Sequence, residues 1–180
     1  MRITGGMGRG RRLKGPSGKR IRPTSEKVKQ ALFNILSDKI EGAVFLDLYA
    51  GAGGIGIEAI SRGAARAVFV DASKDAVRLI LANIQAADFA ERAVVIHSGA
   101  EAFLRRGGYT FDIVFLDPPY AEDLAPLLRM ISEADILSQD GIVVAERFKK
   151  QSSVERAGGL ALFREARYGD TVLAFYSQRT

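Results

Sequence analysis

Two patterns of hydrophobic and polar positions alternate along this 180-residue chain. Short apolar runs bounded by turn residues occur at 44–48, 67–71, 93–98, 111–116 and 141–146, the pattern of parallel strands covered on both faces. Between them apolar residues recur at spacings of three and four. After Pro23 the spacing predicts a helix with Thr24 as N-cap, Glu26 in its first turn, and Val28, Ala31, Leu32, Ile35 and Leu36 as its buried stripe. Phe33 and Asn34 lie off the centre of that stripe, at the surface or core edge, where they could face a ligand. Residues 74–87 carry Val77, Ile80, Leu81 and Ile84 on one face, a helix begins after Gly99, and 124–131 is helical. Two closing strands, 160–168 and 171–177, meet at a tight turn around Gly169 and Asp170, and 151–159 reads as a polar loop. The expectation is an α/β fold with a seven-stranded, mostly parallel sheet that ends in an antiparallel C-terminal hairpin.

Composition narrows the chemistry. The chain has no cysteine, which excludes disulfides and thiolate metal sites, and a single histidine, His97, which argues against a histidine metal centre or a Ser-His-Asp triad. His97 itself reads as a surface residue near a strand end. No apolar run reaches membrane-spanning length and the amino end lacks a signal-peptide core, so a cytoplasmic location is expected. The net charge of +5 is unevenly spread: residues 1–30 hold ten Lys or Arg against Glu26 alone, a net of +9, leaving −4 for the rest. A basic arm, 1–22, on a body, 23–180, implies a polyanion gripped through its phosphates, with Arg9, Arg11, Arg12, Lys14, Arg20 and Arg22 as contacts. A solvated tail is the plainer reading, but RITGG (2–6) and RGRRL (9–13) flank a glycine-rich turn and suggest an ordered or half-ordered hairpin.

The candidate chemistry sits at the ends of the apolar runs. Gly51, Gly53 and Gly56 spell G-x-G-x-x-G after the first strand, and Asp71 closes the second strand, where a carboxylate can accept both ribose hydroxyls of a nucleotide-type cofactor. That pattern alone does not choose between a nicotinamide dinucleotide and S-adenosylmethionine. Asp47, four residues before Gly51, favours the second, because it would repel a pyrophosphate and attract an ammonium or sulfonium group. Ser98 to Glu101 follow the third strand, near where an adenine ring would lie. The fourth strand ends in DPPY (117–120). Two prolines cannot continue the ladder, so Asp117 presents a carboxylate, Pro118 a carbonyl and Tyr120 a ring in a stiff turn suited to a flat group carrying an NH₂.

These stretches together carry a family resemblance. RGRRL in the arm, RPTSEKVKQALFNIL (22–36), FLDLYAGAGGIGIEAISRGA (45–64), VFVDAS (68–73), DPPY and YGDT (168–171) closely resemble the RsmD family of bacterial 16S rRNA guanine-N2 methyltransferases, across almost the whole chain. The resemblance implies the class I S-adenosylmethionine-dependent methyltransferase fold, which is Rossmann-like, and transfer of a methyl group to the exocyclic N2 of one guanine. The implied partner is 16S rRNA, within the small ribosomal subunit or an assembly intermediate, and nothing demands more than a monomer. Cofactor contacts are expected from Asp47, Tyr49, Gly51, Gly53, Gly56, Asp71, Ala72, Ser73, Gly99 and Ala100, and catalysis from Asp117, Pro118, Pro119 and Tyr120. Ser25 and Lys27 depart from the family pattern, as does Ser-Gly-Ala after the third strand. Two alternatives stand beside this reading: an amino-methyltransferase of adenine N6 in DNA or of another RNA, and a non-catalytic basic nucleic-acid-binding module with a relict cofactor fold.

Overall fold

Runs of β-branched and aromatic residues, apolar on both faces, form five parallel strands: β1 (Val44–Leu48), β2 (Arg66–Asp71), β3 (Ala93–His97), β4 (Phe111–Leu116) and β5 (Leu137–Phe148). The computed structural model describes residues 1–15, 25–119 and 122–178. Helices α1 (Glu26–Ile35), α2 (Ser37–Ile40), α3 (Gly54–Ser61), α4 (Lys74–Ala87), α5 (Ala100–Arg106) and α6 (Leu124–Glu133) cover the two faces of the sheet. The chain closes with β6 (Arg156–Ala157), β7 (Leu160–Tyr168) and β8 (Thr171–Gln178). The sheet order is β3-β2-β1-β4-β5-β8-β7-β6, with β8 antiparallel to both β5 and β7. Among the described residues the sheet has eight strands rather than seven, because Arg156 and Ala157 pair with β7 inside the expected polar loop and bury Ala157. Chain order reverses between β1 and β4, the topological switch point where sheets of this kind hold ligands.

The pleat sends alternate residues to two core layers. Phe45, Phe69, Phe115 and Val144 pack beneath α1, α3 and α4, whereas Leu46, Val70, Leu116 and Ala145 pack beneath α5 and α6. Two helical faces differ from the sequence pattern. The N-cap of α1 is Ser25, whose side chain accepts the Val28 N–H, in place of Thr24. Its buried stripe is rotated onto Val28, Leu32, Phe33 and Leu36, with Ile35 only partly covered. Phe33 is thus core, stacked on Phe45 at a 6.3 Å ring separation, while Asn34 is exposed. On α4 the inward face is Ile80, Asn83, Ile84 and Ala87, and Leu81 is 52% exposed.

The amino-terminal arm is part of the core and takes up Lys29 of α1 and Asn83 of α4. A hairpin turn over residues 3–11 is held by hydrogen bonds from Ile3 N–H to the Arg11 carbonyl (3.0 Å), Gly10 N–H to the Ile3 carbonyl (2.9 Å) and Leu13 N–H to the Met1 carbonyl (2.9 Å). One Arg2–Arg12 bridge stands where two short strands were expected. Ile3 and Leu13 are buried, and the glycine turn docks on the end of α3, where a side chain on Gly6 (φ +75°) would collide with the Ser61 carbonyl. Asn83 clamps the far end: its amide oxygen accepts the Lys14 N–H, and its NH₂ donates to the carbonyls of Lys14 and Ala52.

At the centre of this docking lies Glu58, fully buried on α3. Its carboxylate accepts the Thr4 N–H (2.9 Å), the Thr4 hydroxyl (2.7 Å), Lys29 Nζ (3.0 Å) and Arg62 Nε (2.8 Å). Burial works against the charge, yet these donors prevail and hold the carboxyl below its ordinary range. Lys29, a charged residue in the helical pattern, is 2% exposed for this reason and also donates to the Arg2 carbonyl. Removing one partner of a buried pair leaves the other charge uncompensated. Glu58→Ala is expected to lower unfolding free energy by about 3 to 5 kcal/mol in urea denaturation and to make residues 1–15 sensitive to protease in the native state.

Candidate active site

Four acids stand at the carboxyl ends of four neighbouring strands: Asp71 on β2, Asp47 on β1, Asp117 just after β4 and Glu146 on β5. Strand pairing sets their level. Leu48 lies opposite Val70 and Leu116, and Leu116 opposite Ala145, so the next register step places Asp117 beside Glu146. Each strand ends for a local reason. After β1, Tyr49 (φ +67°) and Gly51 (φ +56°) turn the chain into the glycine loop, and after β4 the two prolines supply no N–H.

The glycine loop is shaped by its surroundings. Gly53 is the left-handed N-cap of α3, and a Cβ on Gly56 would lie 2.3 Å from the Phe69 ring, so only glycine lets α3 approach the sheet this closely. Gly51 has nothing within 4 Å of where a Cβ would be, an open approach to its backbone. Asp47 is 2% exposed and accepts the Gly56 N–H (2.8 Å) at the start of α3. It therefore acts as a cap for the loop helix. Asp71 accepts the Gly51 N–H through one oxygen and the Ser73 N–H through the other, both at 2.8 Å.

A cleft of about 660 Å³ opens over this edge and is lined by Tyr49, Asp71, Ala72, Ser98, Gly99, Ala100 and Glu101. Of the expected cofactor residues, the structure thus gathers Tyr49, Asp71, Ala72, Gly99 and Ala100 on one wall. Asp47, Gly51, Gly53 and Gly56 form the loop beside it, and Ser73 faces elsewhere, capping α4 at Ala76. His97 is exposed, its Nε2 3.0 Å from the Ala72 carbonyl. The opposite wall includes Glu122 and Asp123, and Tyr49 donates its hydroxyl to Glu122 (2.6 Å), tying the glycine loop to the segment after the prolines. A second cleft of about 340 Å³ lies on the other side of Glu122 and Asp123, lined by Pro118, Glu146, Arg147, Lys150 and Ser152.

Asp117 is half-buried, Pro118 buried and Pro119 exposed; Tyr120 lies outside the described residues. The Pro119 carbonyl accepts the Glu122 N–H (2.8 Å), and among the described residues none donates to the Pro118 carbonyl. Two of these carboxyls are raised, chiefly by burial. Burial, and then the charge of Glu146, push the Asp117 carboxyl up to about 7. Burial pushes Asp47 up to about 8 against the Gly56 hydrogen bond, with Asp117 and Asp71 adding to the rise. Such a row favours whatever brings positive charge or N–H donors. No group of three or more His, Cys, Asp or Glu among the described residues is arranged to hold a metal. Glu146 and Glu122 are site residues that sequence reasoning missed. A signal for Glu146 exists, since VFLD, VFVD, IVFLD and GIVVAE all close on an acid.

Of the expected polyanion contacts, Arg9, Arg11, Arg12 and Lys14 are exposed on the arm. Arg11 is engaged with the body, donating to the Ala87 carbonyl and lying 5.7 Å over the Phe89 ring. Arg20 and Arg22 lie outside the described residues.

Comparison with known proteins places this site among relatives. The family model of conserved hypothetical protein 95 matches residues 1–177. The chain is 38% identical to the "Putative rRNA methyltransferase YlbH" of Bacillus subtilis, covering 99% of this chain and 100% of that protein. It is 31% identical to the ribosomal RNA small subunit methyltransferase D of Escherichia coli K12, over 99% of this chain and 90% of that one. The solved structure of a "Putative methyltransferase yhhF" from Escherichia coli superposes with a TM-score of 0.88 at 31% identity, covering 99% and 97% of the two chains.

The raised carboxyls fix a direction for pH. Asp47 and Asp117 keep their protons in the fold up to about 8 and about 7, whereas in the unfolded chain they lose them near the ordinary carboxylate value. Their contribution to stability is thus present at low pH and lost as pH rises through that window. The melting temperature of the ligand-free protein should fall between pH 5 and 8, and Asp47→Asn should flatten that fall.

Proposed function

This chain belongs to the family of conserved hypothetical protein 95 and of the ribosomal RNA small subunit methyltransferase D proteins, and from that premise we propose that it is an S-adenosylmethionine-dependent rRNA methyltransferase acting on the exocyclic N2 of one guanine in 16S rRNA. The observation that carries this reading is the acid row at the switch point, ending in a proline-stiffened turn. The residues fit the cofactor. Asp71 keeps lone pairs on both oxygens for ribose hydroxyls, the backbone at Gly51 is open to close approach, and the adjoining acids favour a cation. Tyr49, Ala72, Gly99 and Ala100 would line its site, and when bound S-adenosylmethionine supplies an electrophilic methyl group.

The chain's own part in the reaction is to make a poor nucleophile competent. The guanine N2 lone pair is delocalised into the ring until the amine is pyramidalised. The Asp117 carboxylate and the Pro118 carbonyl accept its two N–H bonds and turn the lone pair toward the methyl group. Positioning of this kind supplies roughly 7 to 11 kcal/mol in favourable cases. Asp117 then takes the released proton, a role suited to a carboxyl raised to about 7. Tyr120 serves as the stacking platform for the extruded base, where about 1 to 3 kcal/mol of stacking offsets much of the cost of extrusion. The arm positions the RNA through phosphates, with Arg9, Arg11, Arg12 and Lys14 among its exposed cations.

Asp117→Ala should lower turnover on small ribosomal subunits by about 10² to 10⁴-fold while S-adenosylmethionine affinity by calorimetry stays within a few fold. Unchanged turnover would remove Asp117 from catalysis. Asp71→Ala should weaken that affinity about tenfold or more, as expected for a lost charged hydrogen-bond acceptor. Neutralising Arg9 and Arg12 should flatten the salt dependence of RNA binding by about one unit of log–log slope per cation. Arg11→Ala should instead lower thermal stability, and an unchanged slope in the Arg9 and Arg12 variants would make the arm a purely structural element.

A further inference from the structure

The two strands that carry the halves of the site part company at one level. The pairing of β1 with β4 ends at Leu48 and Leu116, and beyond it β1 runs into the glycine loop and β4 into the proline turn. A hydrogen bond spans that gap, from the Tyr49 hydroxyl to the Glu122 carboxylate at 2.6 Å. Both of its ends are anchored. Tyr49 donates its N–H to the Val70 carbonyl (3.0 Å) and packs its ring against the core layer beneath α5 and α6. Its φ of +67° is one that a residue with a β-carbon keeps only where its surroundings impose it. Glu122 donates its N–H to the Pro119 carbonyl (2.8 Å), and the next residue, Asp123, caps α6 by accepting the Ala125 N–H (3.1 Å). The bridge thus reaches the proline turn through one backbone bond. Its two residues stand on opposite walls of the larger cleft.

We propose that Tyr49 and Glu122 are a positioning pair for methyl transfer, their hydrogen bond holding the proline turn at a fixed distance from the glycine loop so that amine and methyl group meet in register. This rests on the methyltransferase reading above and adds a link that acts on the reacting atoms only through the turn. Transfer between two bound groups is sensitive to their separation, and a misplacement of about 1 Å costs on the order of 100-fold in rate. Here the methyl donor belongs to the glycine-loop side and the amine to the proline-turn side, and the strand ladder stops short of both. The hydroxyl is the part of Tyr49 that matters. A phenylalanine would pack equally well against the core layer, whereas only the phenol reaches the carboxylate. Burial, and then the hydrogen bond to Glu122, push the phenol above its ordinary value, so it stays a donor wherever the protein is folded and active. Glu122 is exposed, so packing alone does not fix its side chain, and the bond from Tyr49 does.

The test is a double-mutant cycle read in two ways. In the ligand-free protein, Tyr49→Phe and Glu122→Ala should each speed deuterium exchange of the residue-122 amide by about tenfold, as expected for a turn that has lost one hydrogen bond. On small ribosomal subunits with both substrates saturating, each should lower kcat by about 10- to 100-fold, while S-adenosylmethionine affinity by calorimetry stays within about threefold. The calorimetric stoichiometry counts the folded protein in each sample. The double variant should be no slower than the slower single one, because the second change removes a bond already lost. Glu122→Gln, whose amide oxygen still accepts the phenol proton, should recover most of what Glu122→Ala loses. Unchanged exchange and kcat in Tyr49→Phe, or losses that multiply in the double variant, would overturn the proposal while leaving methyl transfer intact. No transfer by the native protein would overturn the rRNA methyltransferase reading on which it rests.

Discussion

Repulsion among acids that cannot avoid one another is the constraint on which the site depends. The order β2-β1-β4-β5 and its register place Asp71, Asp47, Asp117 and Glu146 along one sheet edge. Nearby cations are engaged elsewhere: the buried Lys29 and the half-buried Arg62 with Glu58, and Arg147 with Glu165. Backbone N–H groups satisfy part of the need: Gly51 and Ser73 donate to Asp71, and Gly56 to Asp47. Burial and the neighbouring acids favour protons on Asp47 and Asp117 in the free protein, and in the proposed reaction a cationic methyl donor and the amine N–H groups of the base meet this edge. The same repulsion that costs stability therefore makes the site selective for positive charge and donors.

The second structural decision is that the basic arm is built into the core. Glu58 on α3 gathers Thr4 from the arm, Lys29 from α1 and Arg62 from its own helix, and Asn83 fixes the other end of the arm to α4 and to Ala52 in the glycine loop. The arm's cations are consequently referenced to the loop that begins the cofactor site. Arg11 contributes to this docking through the Ala87 carbonyl while staying exposed, as Arg9 and Arg12 are. A mobile tail would add attraction for RNA without register; a docked one adds both.

Much of this was legible in the order of residues, for physical reasons that also mark where legibility stops. Apolar runs closed by an acid, glycine or proline identify β1 and β4 to the residue, because both covered faces demand continuous apolar sequence and the turn chemistry allows no continuation. The two-residue β6 has no period to detect. The faces of α1 and α4 were misjudged because polarity was equated with exposure, and Lys29 and Asn83 are buried by partners more than twenty residues away. The contacts of Arg11 with the Ala87 carbonyl and the Phe89 ring join residues more than seventy positions apart and have no local sequence signal. Glu146 carried its signal, an acid closing an apolar strand, but its meaning depends on lying next to Asp117, and that adjacency is set by the sheet order alone.

The central claim is that the proline turn holds a ribosomal guanine amine against a methyl donor. Nucleoside mass spectrometry of 16S rRNA from otherwise identical cells with and without this protein tests it most directly. The account predicts that one N2-methylguanosine, mapping to a single position, is present with the protein and missing without it. An unchanged N2-methylguanosine content, or a protein-dependent N6-methyladenine in its place, would contradict it.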